Sequence, residues 1–129
     1  MRFVLACLSV ALVAASSPAD IPRSPEAQAK LDKWLGGRVA TDTKSCIPTN
    51  GTASPIGIDD RTVLFRDGPR IWRNDLRSGT NCGQLDKQSQ VVTASQANRM
   101  CNGDDLGVYQ NGTMVAACTL GDFVLYKRP

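Results

Sequence analysis

The chain has 129 residues, enough for one domain, and its 15 Lys+Arg against 12 Asp+Glu give a formal net charge of +3. The two signs are interspersed, which excludes the concentrated basic face of a nucleic-acid binder. There is no histidine, which excludes a Ser-His-Asp or Cys-His centre, imidazole metal ligation and a histidine general base. Carboxylate-only and lysine-dependent chemistries survive.

Residues 1–15 read as a secretory signal peptide: a basic Met1-Arg2 start, then the apolar run FVLACLSVALVAA, then the polar SSPAD. Thirteen apolar residues are too few for a membrane span, which takes about 20. Cleavage is expected after Ala15. The VLAC stretch partly matches a lipoprotein box, but the apolar run continues for eight residues past Cys7, so Cys7 belongs to the signal. No membrane span is expected after cleavage.

Residues 16–23 have the composition of a flexible mature terminus, and residues 24–129 are expected to form a single β-rich domain. The domain opens with SPEAQAKLDKWLGG. Ser24 suits an N-cap, Pro25 the first helical position and Glu26 the first turn, and Gly36-Gly37 ends the helix. Ala27, Leu31, Trp34 and Leu35 recur at helical spacing and form one apolar face, with Trp34 expected to anchor it on a β domain.

From Gly37 onward, short β-rich runs alternate with Gly, Asn, Asp and Ser. Strands are expected at residues 38–40, within RTVLFR and RIWRNDL, at residues 89–94, within LGVYQ and TMVAACTL, and at residues 123–126. Six or seven short strands with one N-terminal helix predict a mainly β fold, a small disulfide-stabilised barrel or sandwich. Val63 and Phe65 fall on one face of their strand and Leu64 on the other, while Ile71 lies opposite Trp72 and Leu76. Asn111-Gly112 is the strongest hairpin signal. Asp67-Gly68 sits between the RTVLFR and RIWRNDL runs. A two-residue turn centred there would put Pro69, which has no N–H, at the closing position, so a loop of three to five residues is expected.

The charges of residues 58–77 pose the sharpest functional question. Arg61, Arg66, Arg70, Arg73 and Arg77 face Asp59, Asp60, Asp67 and Asp75. A catalytic reading needs one carboxylate desolvated against the rest. The sequence offers none, and a solvated hairpin face with ion pairs of under about 1 kcal/mol each is expected. CNGDD, residues 101–105, lacks the closing acid of a calcium loop and reads as a turn. The NGT tripeptides at Asn50 and Asn111 are formal glycosylation sequons, and Asn111 is assigned to its hairpin turn. Trp72 and Tyr109 are assigned to the core rather than to a ligand. No catalytic residue, cofactor or metal ligand is assigned.

Signal cleavage removes Cys7 and leaves Cys46, Cys82, Cys101 and Cys118, an even set that reads as two disulfides. No CxxC pair exists for a zinc site. Four cysteines allow three pairings. The loop positions of Cys82 and Cys101 favour Cys82–Cys101, leaving Cys46–Cys118 to tie the first strand to one of the last, as barrel closure requires.

LGGRVA, SCIP, IDDRTVLFRDG, WRNDLR, MCNGDD and CTLGDFVLYKRP, in that order, resemble a family of small exported proteins of Gram-negative bacteria known only as a domain of unknown function. The resemblance spans about residues 31–129. It implies export and the four-cysteine frame, and it carries over no functional residue. Residues 84–100 depart from it in being rich in Gln, Ser and Asn. Two functions are expected to compete. One is a non-enzymatic periplasmic or secreted module that binds an unknown protein or envelope component, for example as an inhibitor of an envelope-attacking enzyme such as lysozyme. The alternative is a small carboxylate-dependent, glycan-acting hydrolase with an acid pair from Asp59, Asp60, Asp104, Asp105 and Asp122, about 5–9.5 Å apart in a cleft.

Overall fold

Ser24 starts the only helix among the described residues. Its Oγ accepts a hydrogen bond from the Ala27 N–H at 3.2 Å, Pro25 occupies the first turn, and α1 runs Pro25–Leu35. This computed structural model describes residues 22–49, 55–77, 82–83, 85, 90–93 and 98–129. The expected signal peptide, the Asn50 sequon and much of the Gln/Ser/Asn-rich segment lie outside them. No helix among the described residues is long and apolar enough to cross a membrane.

Among the described residues ten strands follow: β1 Val39–Lys44, β2 Cys46–Pro48, β3 Pro55–Gly57, β4 Thr62–Asp67, β5 Arg70–Asp75, β6 Gln90–Thr93, β7 Arg99–Cys101, β8 Asp105–Gln110, β9 Thr113–Thr119 and β10 Phe123–Lys127. All pairings are antiparallel. They form a five-stranded sheet in the order β1-β10-β5-β4-β3, a three-stranded sheet β6-β8-β9 and a two-stranded sheet β2-β7. The architecture is sandwich-like, and the sheets do not close into a barrel: β1 and β3 remain as edges of the large sheet. β1 is exposed along its length and interrupted by a bulge between Ala40 and Thr43, with Asp42 and Lys44 on it. Charge and a bulge are the ordinary means of blunting an edge.

Alternation along β4 and β5 sorts the core into two layers. Val63, Phe65 and Trp72 pack with Phe123, Leu125, Leu106, Val108, Ala116, Leu120, Ile47 and Met100 between the sheets. Phe65 and Phe123 meet as a tilted ring pair with centroids 5.8 Å apart. Leu64 and Ile71 project to the other face, where Ala27, Leu31 and Ile58 cover them. This face is where the sequence expectation needs correction. The β4–β5 hairpin is not a wet face: Thr62, Val63, Leu64 and Phe65 are all buried, because α1 covers the side that alternation alone leaves open. Leu31 is the deepest apolar residue of α1, whereas Trp34 is only half-buried at the margin of the cluster. Burying a leucine contributes about 1.5–3 kcal/mol.

The turns divide. Asn111 and Gly112 have φ of 51° and 78° between the paired residues Gln110 and Thr113, the left-handed pair that a type I′ turn requires. The β4–β5 turn is tighter than expected. Asp67 pairs directly with Arg70, so the two turn residues are Gly68 and Pro69. The register differs by one from the Asp67-Gly68 turn considered from sequence. Pro69 therefore does not sit at the closing position, and Gly68 supplies the positive φ of 56° at the first turn position.

Among the described residues two polar residues are fully buried, Thr62 and Asn74. Asn74 donates from Nδ2 to the Gly121 carbonyl at 2.8 Å, and accepts at Oδ1 from the Gly121 N–H at 2.9 Å. A Cβ on Gly121 would lie 2.3 Å from the Asp75 carbonyl oxygen, so only glycine fits this approach. We expect Asn74→Ala to lower stability by about 2–4 kcal/mol, since it removes two buried hydrogen bonds and strands the Gly121 amide. Urea unfolding checks this, and a loss under 1 kcal/mol would contradict it.

Both disulfides form, but not in the expected pairs. Cys46 bonds Cys101, and Cys82 bonds Cys118. The backbone explains the exchange. Cys46 and Cys101 are direct cross-strand partners in the β2–β7 ladder. The chain leaving β5 is delivered to the end of β9 by the Arg77 N–H bond to the Thr119 carbonyl, which brings the following Cys82 towards Cys118.

Candidate functional site

The charges of the β4–β5 hairpin gather at its two ends instead of spreading along a face. At the end away from the turn, Arg23 is the organising residue. Its side chain is 3% exposed. Nη1 is paired with Asp59 Oδ2, and Nη2 donates to Thr62 Oγ1 at 2.7 Å and lies 3.6 Å from Asp75 Oδ1. Thr62 Oγ1 in turn donates a hydrogen bond to Asp75 Oδ1 at 2.7 Å. Asp59 also turns the backbone: its Oδ1 accepts the N–H of Arg61 at 3.1 Å and of Thr62 at 3.0 Å. Arg73 Nε lies 3.2 Å from Asp75. The two acids that meet here therefore meet on an arginine, which engages both.

The remaining carboxylates considered as an acid pair do other work or stand exposed. Asp104 Oδ2 accepts the Cys101 N–H at 2.8 Å and closes the CNGDD turn, where Gly103 has φ 95°. Asp122 accepts from Asn102 Nδ2 at 2.8 Å, and Asn102 in turn accepts from Arg77. Asp60 and Asp105 are exposed. Among the described residues no group of three or more Cys, Asp or Glu is placed to hold a metal ion.

The turn end of the hairpin has a different character. The C-terminal part of α1, the segment before β1 and the β4–β5 turn enclose a pocket of about 330 Å³. It is lined by Lys33, Trp34, Arg38, Arg66, Gly68, Pro69 and Ile71. Three of these side chains are cationic and none is acidic. Arg38 is fixed by donating from Nη1 to the Trp34 carbonyl at 2.8 Å and from Nη2 to the Pro69 carbonyl at 3.4 Å. Its Nε is buried and has no hydrogen-bond partner among the described residues. Among the described residues Lys33, Arg38 and Arg66 form no ion pair. The nearby Asp67 is engaged by Arg70 at 2.6 Å. This last pair is the exposed kind foreseen from sequence, with Arg70 48% exposed. Arg70→Ala is expected to change stability by under about 1 kcal/mol in thermal unfolding.

An electropositive pocket with a tryptophan wall can hold an anion by charge and pack an apolar face beside it. The sequence reading did not assemble it. Trp34 has the spacing of a core anchor, Arg66 the place of a solvated-face residue and Arg38 that of the start of a strand, and Lys33 belongs to no pattern with them. The one local sign was a half-apolar last helical turn in which Lys33 precedes Trp34. Trp72 is buried in the core as expected. Tyr109 instead lies over Gly107 on β8, half-exposed.

Comparison with known proteins adds no relative: the chain matches no family model, no curated protein and no solved structure.

Proposed function

We propose that the chain is an exported, non-enzymatic β module that binds an anionic component of the cell envelope at the Lys33–Arg38–Arg66 pocket. The observation that carries this reading is the gathering around Trp34 of three cations from separate segments, which form no ion pair among the described residues. Like charges gathered without an acid among them repel one another, so a site that collects them is suited to a partner of opposite sign. Export is supported by the signal-like residues 1–15 and by two disulfides, which persist in oxidising compartments. The binding role, as against hydrolysis, is supported by the engagement of Asp59 and Asp75 with Arg23 and Thr62, which commits both carboxylates to an ion network of the fold. Like charge also disfavours a strongly basic enzyme as the occupant of this pocket.

Export predicts a mature chain that begins at Ser16 in the periplasm or medium, read by mass spectrometry of the fractionated cells. A full-length precursor confined to the cytoplasm contradicts it. Binding is tested by passing envelope extract over the immobilised oxidised protein and over its Lys33→Glu/Arg66→Glu variant. The wild type is expected to retain an anionic component that salt elutes, and the variant to lose it. Retention equal in both, or none above background in either, overturns the reading.

A further inference from the structure

We propose that the ligand group recognised in this pocket is a phosphate monoester carried on a saccharide ring, a reading that rests on the anion-binding role above. Charge is the first argument. A carboxylate brings one negative charge to three cations, whereas a phosphate monoester brings about −1.5 to −2 at neutral pH and three strong acceptor oxygens. Donor geometry is the second. The Trp34 and Pro69 carbonyls hold the guanidinium of Arg38 in place at the pocket wall. A guanidinium fixed in this way presents its fork of N–H donors with little ordering left to do, and a phosphate offers the matching acceptors. Size and wall are the third. About 330 Å³ is at the lower end for ligand pockets and admits one ring with its substituent. Half-buried Trp34, with Pro69 and Ile71, offers an apolar surface on which the C–H face of a sugar packs, while its hydroxyls stay wet. Gly68 leaves the rim open, since nothing lies within 4 Å of where its Cβ would be. A longer glycan or a lipid tail can leave by that side.

The test is titration of the oxidised, ¹⁵N-labelled chain with N-acetylglucosamine 1-phosphate, reading the Trp34 indole and Gly68 amide resonances. Saturable shifts are expected, with affinity at least tenfold above that for N-acetylglucosamine, glucuronate or inorganic phosphate. Arg66→Glu, an exposed position with no ion pair to lose, is expected to weaken binding at least tenfold without altering the fold. Vesicles bearing a phosphoglycolipid deplete the wild type if the group is lipid-borne, and leave it in solution if the group is soluble. Equal binding of the unphosphorylated sugar, or an unaffected Arg66→Glu, overturns the proposal. Preference for glucuronate, or no response to any probe while envelope capture still depends on Lys33 and Arg66, overturns the phosphosaccharide alone. Failure of both experiments removes the pocket's binding role as well.

Discussion

Asp59→Ala is expected to lower the free energy of unfolding by about 3–5 kcal/mol, the usual cost of leaving a buried charge without its partner. The charge left behind is Arg23, whose side chain is 3% exposed and whose other contacts, Thr62 and Asp75, only partly replace Asp59. The same substitution removes the acceptor of two backbone N–H groups at the entry to β4. Asp59→Asn keeps an acceptor for that turn and loses only the charge, so it should fall between wild type and Asp59→Ala. Arg23→Met should cost less than Asp59→Ala, because an apolar side chain replaces a buried cation and Asp59, at 16% exposure, keeps some solvent. Denaturant melts of the three variants and of the double variant give the ordering and the coupling. A cost below 1 kcal/mol for Asp59→Ala would make the network a surface feature and contradict the burial of Arg23.

The second large effect is the loss of a disulfide. The bridged residues are separated by 55 positions for Cys46–Cys101 and 36 for Cys82–Cys118. In the chain-entropy treatment each bridge stabilises by about 4 kcal/mol, which is a large share of the 5–15 kcal/mol typical of a domain. The two differ in access. Cys82 and Cys118 are 1% and 3% exposed within the inter-sheet core, whereas Cys46 and Cys101 are partly exposed. Thiolate attack needs contact with a sulfur. Mild reduction is therefore expected to open Cys46–Cys101 first and to leave Cys82–Cys118 closed until the domain unfolds. Timed alkylation with peptide mapping reads the order. Early labelling of Cys82 and Cys118, or recovery of a Cys82–Cys101 peptide, contradicts it. Replacing Cys82 and Cys118 together by Ala should lower the melting temperature by well over 10 °C, at several degrees per kcal/mol for a domain of this size.

The sequence carried the parts of the fold that depend on near neighbours. The cap at Ser24, the apolar spacing through Leu31 and the paired left-handed residues Asn111 and Gly112 are local facts, and each is where the spacing put it. The division of Val63 and Phe65 from Leu64 follows from strand alternation alone. What alternation does not say is which face stays wet. The side bearing Leu64 and Ile71 is dry because α1 lies on it, a contact between segments about 30 residues apart. β2, β3 and β7 have three residues each, too few to display a period, and they bring the strands from the expected six or seven to ten. The disulfide exchange has the same origin, since the β2–β7 ladder that sets Cys46 against Cys101 leaves no trace in the spacing of the cysteines.

The candidate site was the least legible. Lys33 and Trp34 end the helix, Arg38 precedes β1, and Arg66 and Pro69 flank the β4–β5 turn. No pair of these segments forms a motif, and the pocket exists only once α1 is packed on the large sheet. The acidic residues that drew attention in sequence, Asp59 and Asp75, are instead fixed by Arg23, whose role depends on long-range contacts to residues 59, 62 and 75.

The measurement that most directly tests the central claim is the footprint of the captured envelope component on the labelled protein, read as amide and indole chemical-shift changes. The account predicts a contiguous set of changes at Lys33, Trp34, Arg38, Arg66 and Gly68, with the Asp59–Arg23–Asp75 network undisturbed. A footprint centred on that network, on the turn of residues 101–105, or on the outer face of the β6-β8-β9 sheet would contradict it.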